Sequence, residues 1–92
     1  MFEVVAVGRP GWFNVTVTLR AVAKMSHEER RLRHHHLKIS IVETWRIEIE
    51  QGESFQIRLP KEVSPKPGDR LQLAAVLNEA PLRRKWRKVS SF

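Results

Sequence analysis

Between Phe13 and Lys24 the chain alternates with a period of two. Phe13, Val15, Val17, Leu19, Ala21 and Ala23 take one parity, and Asn14, Thr16, Thr18, Arg20, Val22 and Lys24 take the other. Successive side chains of a strand point to opposite faces, so this pattern specifies a half-buried strand. Its β-branched residues fit a pleated surface. The same signal returns in Leu37, Ile39 and Ile41, then Trp45, Ile47 and Ile49, with Lys38, Ser40, Thr44, Arg46, Glu48 and Glu50 on the other face. Glu43 falls on the apolar parity, where a charge is costly. A bulge or bend near Val42–Glu43 is expected, because one extra residue returns Glu43 to solvent. Phe55, Ile57 and Leu59 predict a third strand, and Leu71, Leu73, Ala75 and Leu77 a fourth. Phe2, Val4 and Ala6 add a leading strand, and the stretch around Arg84–Val89 a closing one.

Turn residues separate these runs. Gly8-Arg9-Pro10-Gly11 ends the leading strand, and Gln51-Gly52 predicts a tight hairpin in which glycine supplies a positive φ. Lys66-Pro67-Gly68-Asp69 reads as a type II turn within an irregular connector over 60–69. One segment departs from the strand pattern. Ser26 with Glu29 three residues later fits a capping box, and the acidic start and basic end of 26–34 suit a helix dipole. Leu32 is its one core-forming residue, so no face would pack. A marginal exposed helix or a loop is expected there, inside a basic excursion over 24–38 between the two long strands.

The 92 residues predict one all-β domain, 1–92, with this basic loop and a basic C-terminal segment over 82–92. The absence of cysteine removes disulfides, thiolate metal sites and cysteine nucleophiles. The longest apolar run, Leu73 to Leu77, is five residues, whereas a spanning helix needs roughly 20. No signal peptide is read, no membrane partner is expected, and the expected location is cytoplasmic. The net charge of +7 is uneven. Residues 20–38 carry six positive and two negative side chains, 39–79 carry five and seven, and 80–92 carry five and none. Such asymmetry points to a polyanion partner, or else to a solvated face.

Three successive histidines, His34, His35 and His36, raise the question of metal. In an extended chain they point to alternating faces, and no histidine pair has the i, i+4 spacing of a helical chelate. The neighbouring arginines would repel a cation. No metal site and no cofactor are expected. The run suits an exposed loop that touches phosphate, and it gains charge below about pH 6.5. Catalysis is not expected: Asp69 is the only aspartate and sits in a turn, and no phosphate loop, nucleophile elbow or HExxH is present. The strongest functional signal is Arg83-Arg84-Lys85-Trp86-Arg87-Lys88, five cations around an indole. Cations track phosphates and an indole can stack a base. The plainer reading is a last strand with Trp86 facing the core. Trp12 is either a second stacker or a rim residue closing the barrel, and Trp45 lies on the core parity.

The order of elements, with "PKPGDRLQL" opening a late strand, resembles the OB-fold, a five-stranded Greek-key barrel. The stretch FQIRLPKEVSPKPGDRLQLAAVL is also similar to the OB-type eighth subunit of archaeal and eukaryotic RNA polymerases. The resemblance implies nucleic-acid binding on strands two and three and on the loop between strands one and two. Here that loop is the basic segment, while Glu43, Glu48 and Glu50 make strand two mildly acidic and move the expected contacts to loop and tail.

The fold expected is therefore a small five- to six-stranded antiparallel Greek-key barrel, OB-like, with a β-sandwich as the alternative. The function expected is an RNA- or DNA-binding accessory protein, RNA ahead of DNA, in a ribosome or other nucleoprotein machine. Its contacts would be Arg30, Arg31, Arg33, His34, His35, His36, Lys38 and Arg83, Arg84, Lys85, Trp86, Arg87, Lys88. The alternative is a protein-interaction module, or a polymerase small subunit that does not touch nucleic acid.

Overall fold

Alternation predicts strands, and strands dominate the computed structural model, which describes residues 1–34 and 40–91. They occupy 59% of the described residues against 13% for helical turns, so the class is antiparallel β. Seven strands form: β1 (Phe2–Pro10), β2 (Asn14–Ala21), β3 (Met25–His34), β4 (Ser40–Ile49), β5 (Ser54–Pro60), β6 (Arg70–Leu71) and β7 (Arg87–Ser91). Two short helices, α1 (Leu73–Val76) and α2 (Ala80–Arg83), precede β7. One sheet has the order β5-β2-β1-β6 and curls into half a barrel; the second has the order β3-β4-β7.

The two sheets are joined by the two arms of one long hairpin. β2 pairs with β5 and β3 pairs with β4 in one continuous register: Arg20 faces Ser54 before the corner, and Met25 faces Ile49 after it, five residues on along each arm. The chain thus makes one long hairpin folded at 22–24 and 50–53, a strand bend that carries it from one sheet to the other. Gly52 serves this corner. It has φ +86°, and its N–H donates to the Ala21 carbonyl at 2.9 Å. The tight β4–β5 hairpin expected at Gln51-Gly52 is therefore not formed; those strands pair with β3 and β2 instead.

The core follows the parity of β2. Val15, Val17, Leu19 and Ala21 are buried with Ile57 and Leu59 of β5, Phe2 and Val4 of β1, and Ile47 and Ile49 of β4. β1 loses its alternation beyond Val4 because two register shifts interrupt its pairing with β2. The Lys66–Asp69 turn forms as expected. Gly68 has φ +91°, the Asp69 N–H donates to the Lys66 carbonyl, and the turn is tied to β1 by Val4 and Gly68 bonds of 2.8 Å.

Three further expectations are corrected. Residues 26–34 are strand, not a loop or short helix. Unpaired, they would leave the backbone groups of β4 without partners. Paired, they set Glu28 opposite Arg46 and Arg31 opposite Glu43, so tertiary pairing overrides the capping box. Residues 71–77 form a strand only at Arg70–Leu71; from Leu73 the chain is helical and buries Val76 and Leu77 together, two adjacent residues that a strand would place on opposite faces. Glu43 does not escape to solvent. It stays on the inward parity at 7% exposure, while the register shift in this strand falls between Thr44 and Trp45 on the β7 side.

Candidate nucleic-acid interface

β4 is the centre of the second sheet. β3 pairs along one side of it and β7 along the other, so the two basic segments flank a common strand. Leu82, fully buried in α2, and Trp86, packed on the core, hold the C-terminal segment in place. The expected contacts at His35, His36 and Lys38 lie outside the described residues.

Directly opposed residues share a face. On one face lie Met25, His27, Glu29, Arg31 and Arg33 of β3, with Glu43, Trp45 and Ile47 of β4. The Arg31 guanidinium stands 5.0 Å from the Trp45 ring centroid and 4.8 Å from that of Trp86. His27 meets Trp86 edge-on at 6.0 Å. Trp86 therefore carries this chain's own arginine and histidine and is not the open stacking platform expected. Trp45 is half-buried rather than core. Below them the Glu43 carboxylate accepts a hydrogen bond from Trp45 Nε1 at 3.1 Å and faces Arg33 at 3.5 Å and Lys88 at 3.9 Å. Arg31 also pairs with Glu29 at 3.5 Å. Arg83, from α2, lines a concavity of about 420 Å³ together with Arg31, Glu29 and Trp86.

The opposite face carries Glu28, Arg30, Thr44, Arg46 and Glu48. Arg87 of β7 is the partner of Arg46 across the strands. Glu28 bonds the Arg46 guanidinium and raises its pKa, chiefly through that hydrogen bond. Arg46 and Arg87 border a second concavity of about 390 Å³ with Glu48, Glu50, Glu53 and Lys85. Lys85 is committed there: its Nζ reaches Glu53 at 2.6 Å and lies 5.9 Å from the Phe55 ring centroid. That bond, with a second from the Glu50 N–H, lowers the Glu53 pKa. His34 shares a 3.3 Å hydrogen bond with Ser40 Oγ at the far end of the sheet.

The expected cations thus divide. Arg31, Arg33, Lys85 and Lys88 meet carboxylates of this chain. Arg30, Arg83, Arg84 and Arg87 are exposed and make no ion pair among the described residues. No protein-family model, curated protein or solved structure matches the chain.

Sequence reasoning missed the organisers of this surface. Glu43 was expected to turn outward, and His27 and Glu29 were assigned to a helix start. The signal for Glu43 was available in the parity of β4: a carboxylate between Ile41 and Trp45 on the inward side asks for a cation opposite it, and Arg31 stands there; nothing local marked His27 and Glu29. Among the described residues no group of three or more His, Asp or Glu side chains could hold a metal ion, and no helix is long and apolar enough to cross a membrane.

Proposed function

We propose that the β3-β4-β7 sheet binds the phosphate backbone of a nucleic acid, and that the protein is an accessory part of a nucleoprotein assembly. One observation carries this: segments more than 50 residues apart in sequence, each basic, are laid on the two sides of β4, with Arg30, Arg83, Arg84 and Arg87 making no ion pair among the described residues. Arg31, Arg33, Lys85 and Lys88 each already face a carboxylate of this chain, Glu43 serving both Arg33 and Lys88, and so add less to the grip. Stacking on Trp86 is not part of the reading, because Arg31 covers it.

The OB-like description belongs to the same proposal. Its support is the half-barrel sheet and the long β2–β3 strand that turns a corner between sheets. Cross-strand contacts in solution between edge strands of the two sheets would establish barrel closure; their absence would leave an open two-sheet packing.

Neutralising four phosphates of a single strand gives a slope of log affinity on log salt of about −3. A fluorescence-anisotropy titration against single-stranded RNA, single-stranded DNA and duplex at several salt concentrations measures it. Removing Arg30, Arg84 and Arg87 together should flatten the slope by about 2. A slope near zero in the unaltered protein ends the proposal.

A further inference from the structure

The most exposed large apolar side chains of the described residues are not on the basic sheet. Trp12 is 91% exposed and Phe13 79%, side by side on the loop between β1 and β2. Trp12 closes no barrel rim, so that reading is overturned. The loop is short and braced: the Gly11 N–H donates to the Asn14 carbonyl at 2.8 Å, and the Lys61 N–H donates to the Phe13 carbonyl at 2.9 Å. A Cβ on Gly11 would come within 3.2 Å of the Asn14 oxygen, so a side chain there would ask the turn to give by a few tenths of an ångström. Two aromatic rings are thereby held at an apex by backbone geometry alone.

Cations collar this apex. Arg9 and Arg58 line a concavity of about 320 Å³ with Trp12, Phe13, Asn14 and Thr16. Lys61 sits in the adjacent turn, beside Val63 at 50% exposure. Residues 8–16 and 56–68 contain four cations, Arg9, Arg58, Lys61 and Lys66, against one carboxylate, Glu62. Arg9, Arg58 and Lys61 make no ion pair among the described residues.

We propose that the Trp12–Phe13 apex with Arg9 and Arg58 is a second binding surface, and that it seats on an anionic lipid surface. An indole and a phenyl ring at a protruding tip enter the headgroup region, where aromatic rings are favoured. Guanidinium and ammonium groups one layer behind meet lipid phosphates. An open ring also suits base stacking; two adjacent exposed rings with Val63 in the neighbouring turn and cations behind them favour the lipid surface. Peripheral seating requires no spanning segment, so the short apolar runs of the sequence do not bear on it.

The full chain is tested by sedimentation with phosphatidylcholine vesicles, with and without phosphatidylserine, and by emission and brominated-lipid quenching of tryptophan. Subtracting the signal of Trp12→Ala isolates Trp12 from Trp45 and Trp86. Binding only to the anionic vesicles, with quenched Trp12, is expected. The pair Trp12→Ala with Phe13→Ala should weaken it by roughly tenfold or more, since two rings lose apolar burial. Arg9→Ala or Arg58→Ala should weaken it by about fivefold each, and Arg30→Ala with Arg87→Ala should leave it unchanged. Because these side chains lie outside the core, circular dichroism should report an intact fold. Absence of binding overturns the proposal, as does binding that survives loss of both rings or falls with Arg30 and Arg87. Quenching of Trp12 by a single-stranded oligonucleotide without vesicle binding overturns it in favour of base stacking. Failure of nucleic-acid binding at the β3-β4-β7 sheet leaves the expected vesicle result as it is.

Discussion

Arg31 of β3 and Trp86, the residue before β7, are in contact through the guanidinium and the indole face, 4.8 Å apart. No backbone ladder joins these two segments; each pairs with β4 and not with the other. The side-chain contact therefore closes the sheet over its own centre. It also fixes what the basic segments can do, because the residue expected to stack a base is covered by one expected to grip a phosphate.

The contact should be measurable as a coupling. A cation over an indole contributes about 0.5–1 kcal/mol where water still reaches it. A double-mutant cycle of Arg31→Ala and Trp86→Leu, followed by urea unfolding, should give a coupling energy of that size. Arg31→Lys should lose part of it, since an ammonium lacks the planar face that stacks on two rings. Zero coupling would mean that Arg31 merely rests there.

Glu43 is the one buried charged residue among the described positions, at 7% exposure. Glu43→Ala leaves the Trp45 indole N–H without its acceptor and removes the counter-charge for Arg33 and Lys88. An unsatisfied donor of this kind costs about 1–3 kcal/mol. Glu43→Gln keeps an acceptor and should cost less, since exposed Arg33 and Lys88 gain little from the pair. Chemical denaturation of both variants checks the order; equal losses would show that charge, and not the indole bond, is what the site needs.

At Gly52 the backbone takes φ +86° with nothing within 4 Å of where a Cβ would stand. The cost of Gly52→Ala is thus conformational and not steric crowding, about 1–2 kcal/mol for a left-handed alanine. Gly52→Asn should cost less, because asparagine tolerates that region. Melting temperatures of the two variants should fall in that order. If alanine is neutral, the corner between β4 and β5 is not held in this conformation in solution.

Much of the sheet was legible because alternation is a local signal. Parity names the buried Val15, Val17, Leu19 and Ala21, and likewise Ile47, Ile49, Ile57 and Leu59, but it also names Phe13 and Ala23, which are exposed, and Trp45, which is half-buried. The misreadings came where partners lie far away in sequence. Residues 26–34 satisfy a helix start locally, but their strand state depends on β4, whose Glu43 pairs with Arg33 and whose Arg46 pairs with Glu28. Leu73, Val76 and Leu77 carried a helical i, i+3, i+4 spacing, with Ala74 and Ala75 favouring a helix, and the strand reading of Leu71 to Leu77 passed over it. For the candidate interface, the sequence showed which residues are basic. It could not show which meet a carboxylate, because that depends on Glu43 arriving from β4, on Glu53 at the corner, and on β3 being extended so that Glu29 reaches Arg31.

The Lys85–Glu53 pair ties β7's approach to the corner of the long hairpin, and it makes stability depend on pH. The lysine bond and the Glu50 N–H hold the Glu53 carboxyl below its ordinary range in the folded protein. The unfolded chain then binds a proton at higher pH than the folded one. The contribution is complete above the ordinary carboxylate pKa and disappears as pH falls through the lowered folded value. Lys85→Met should therefore lose more stability relative to the parent at neutral pH than at the acid end of that window, and the two unfolding curves should converge as pH falls. Glu53→Gln should converge with the parent over the same window. Curves that stay parallel from neutral to acid would show that the pair is too well solvated to favour the folded state.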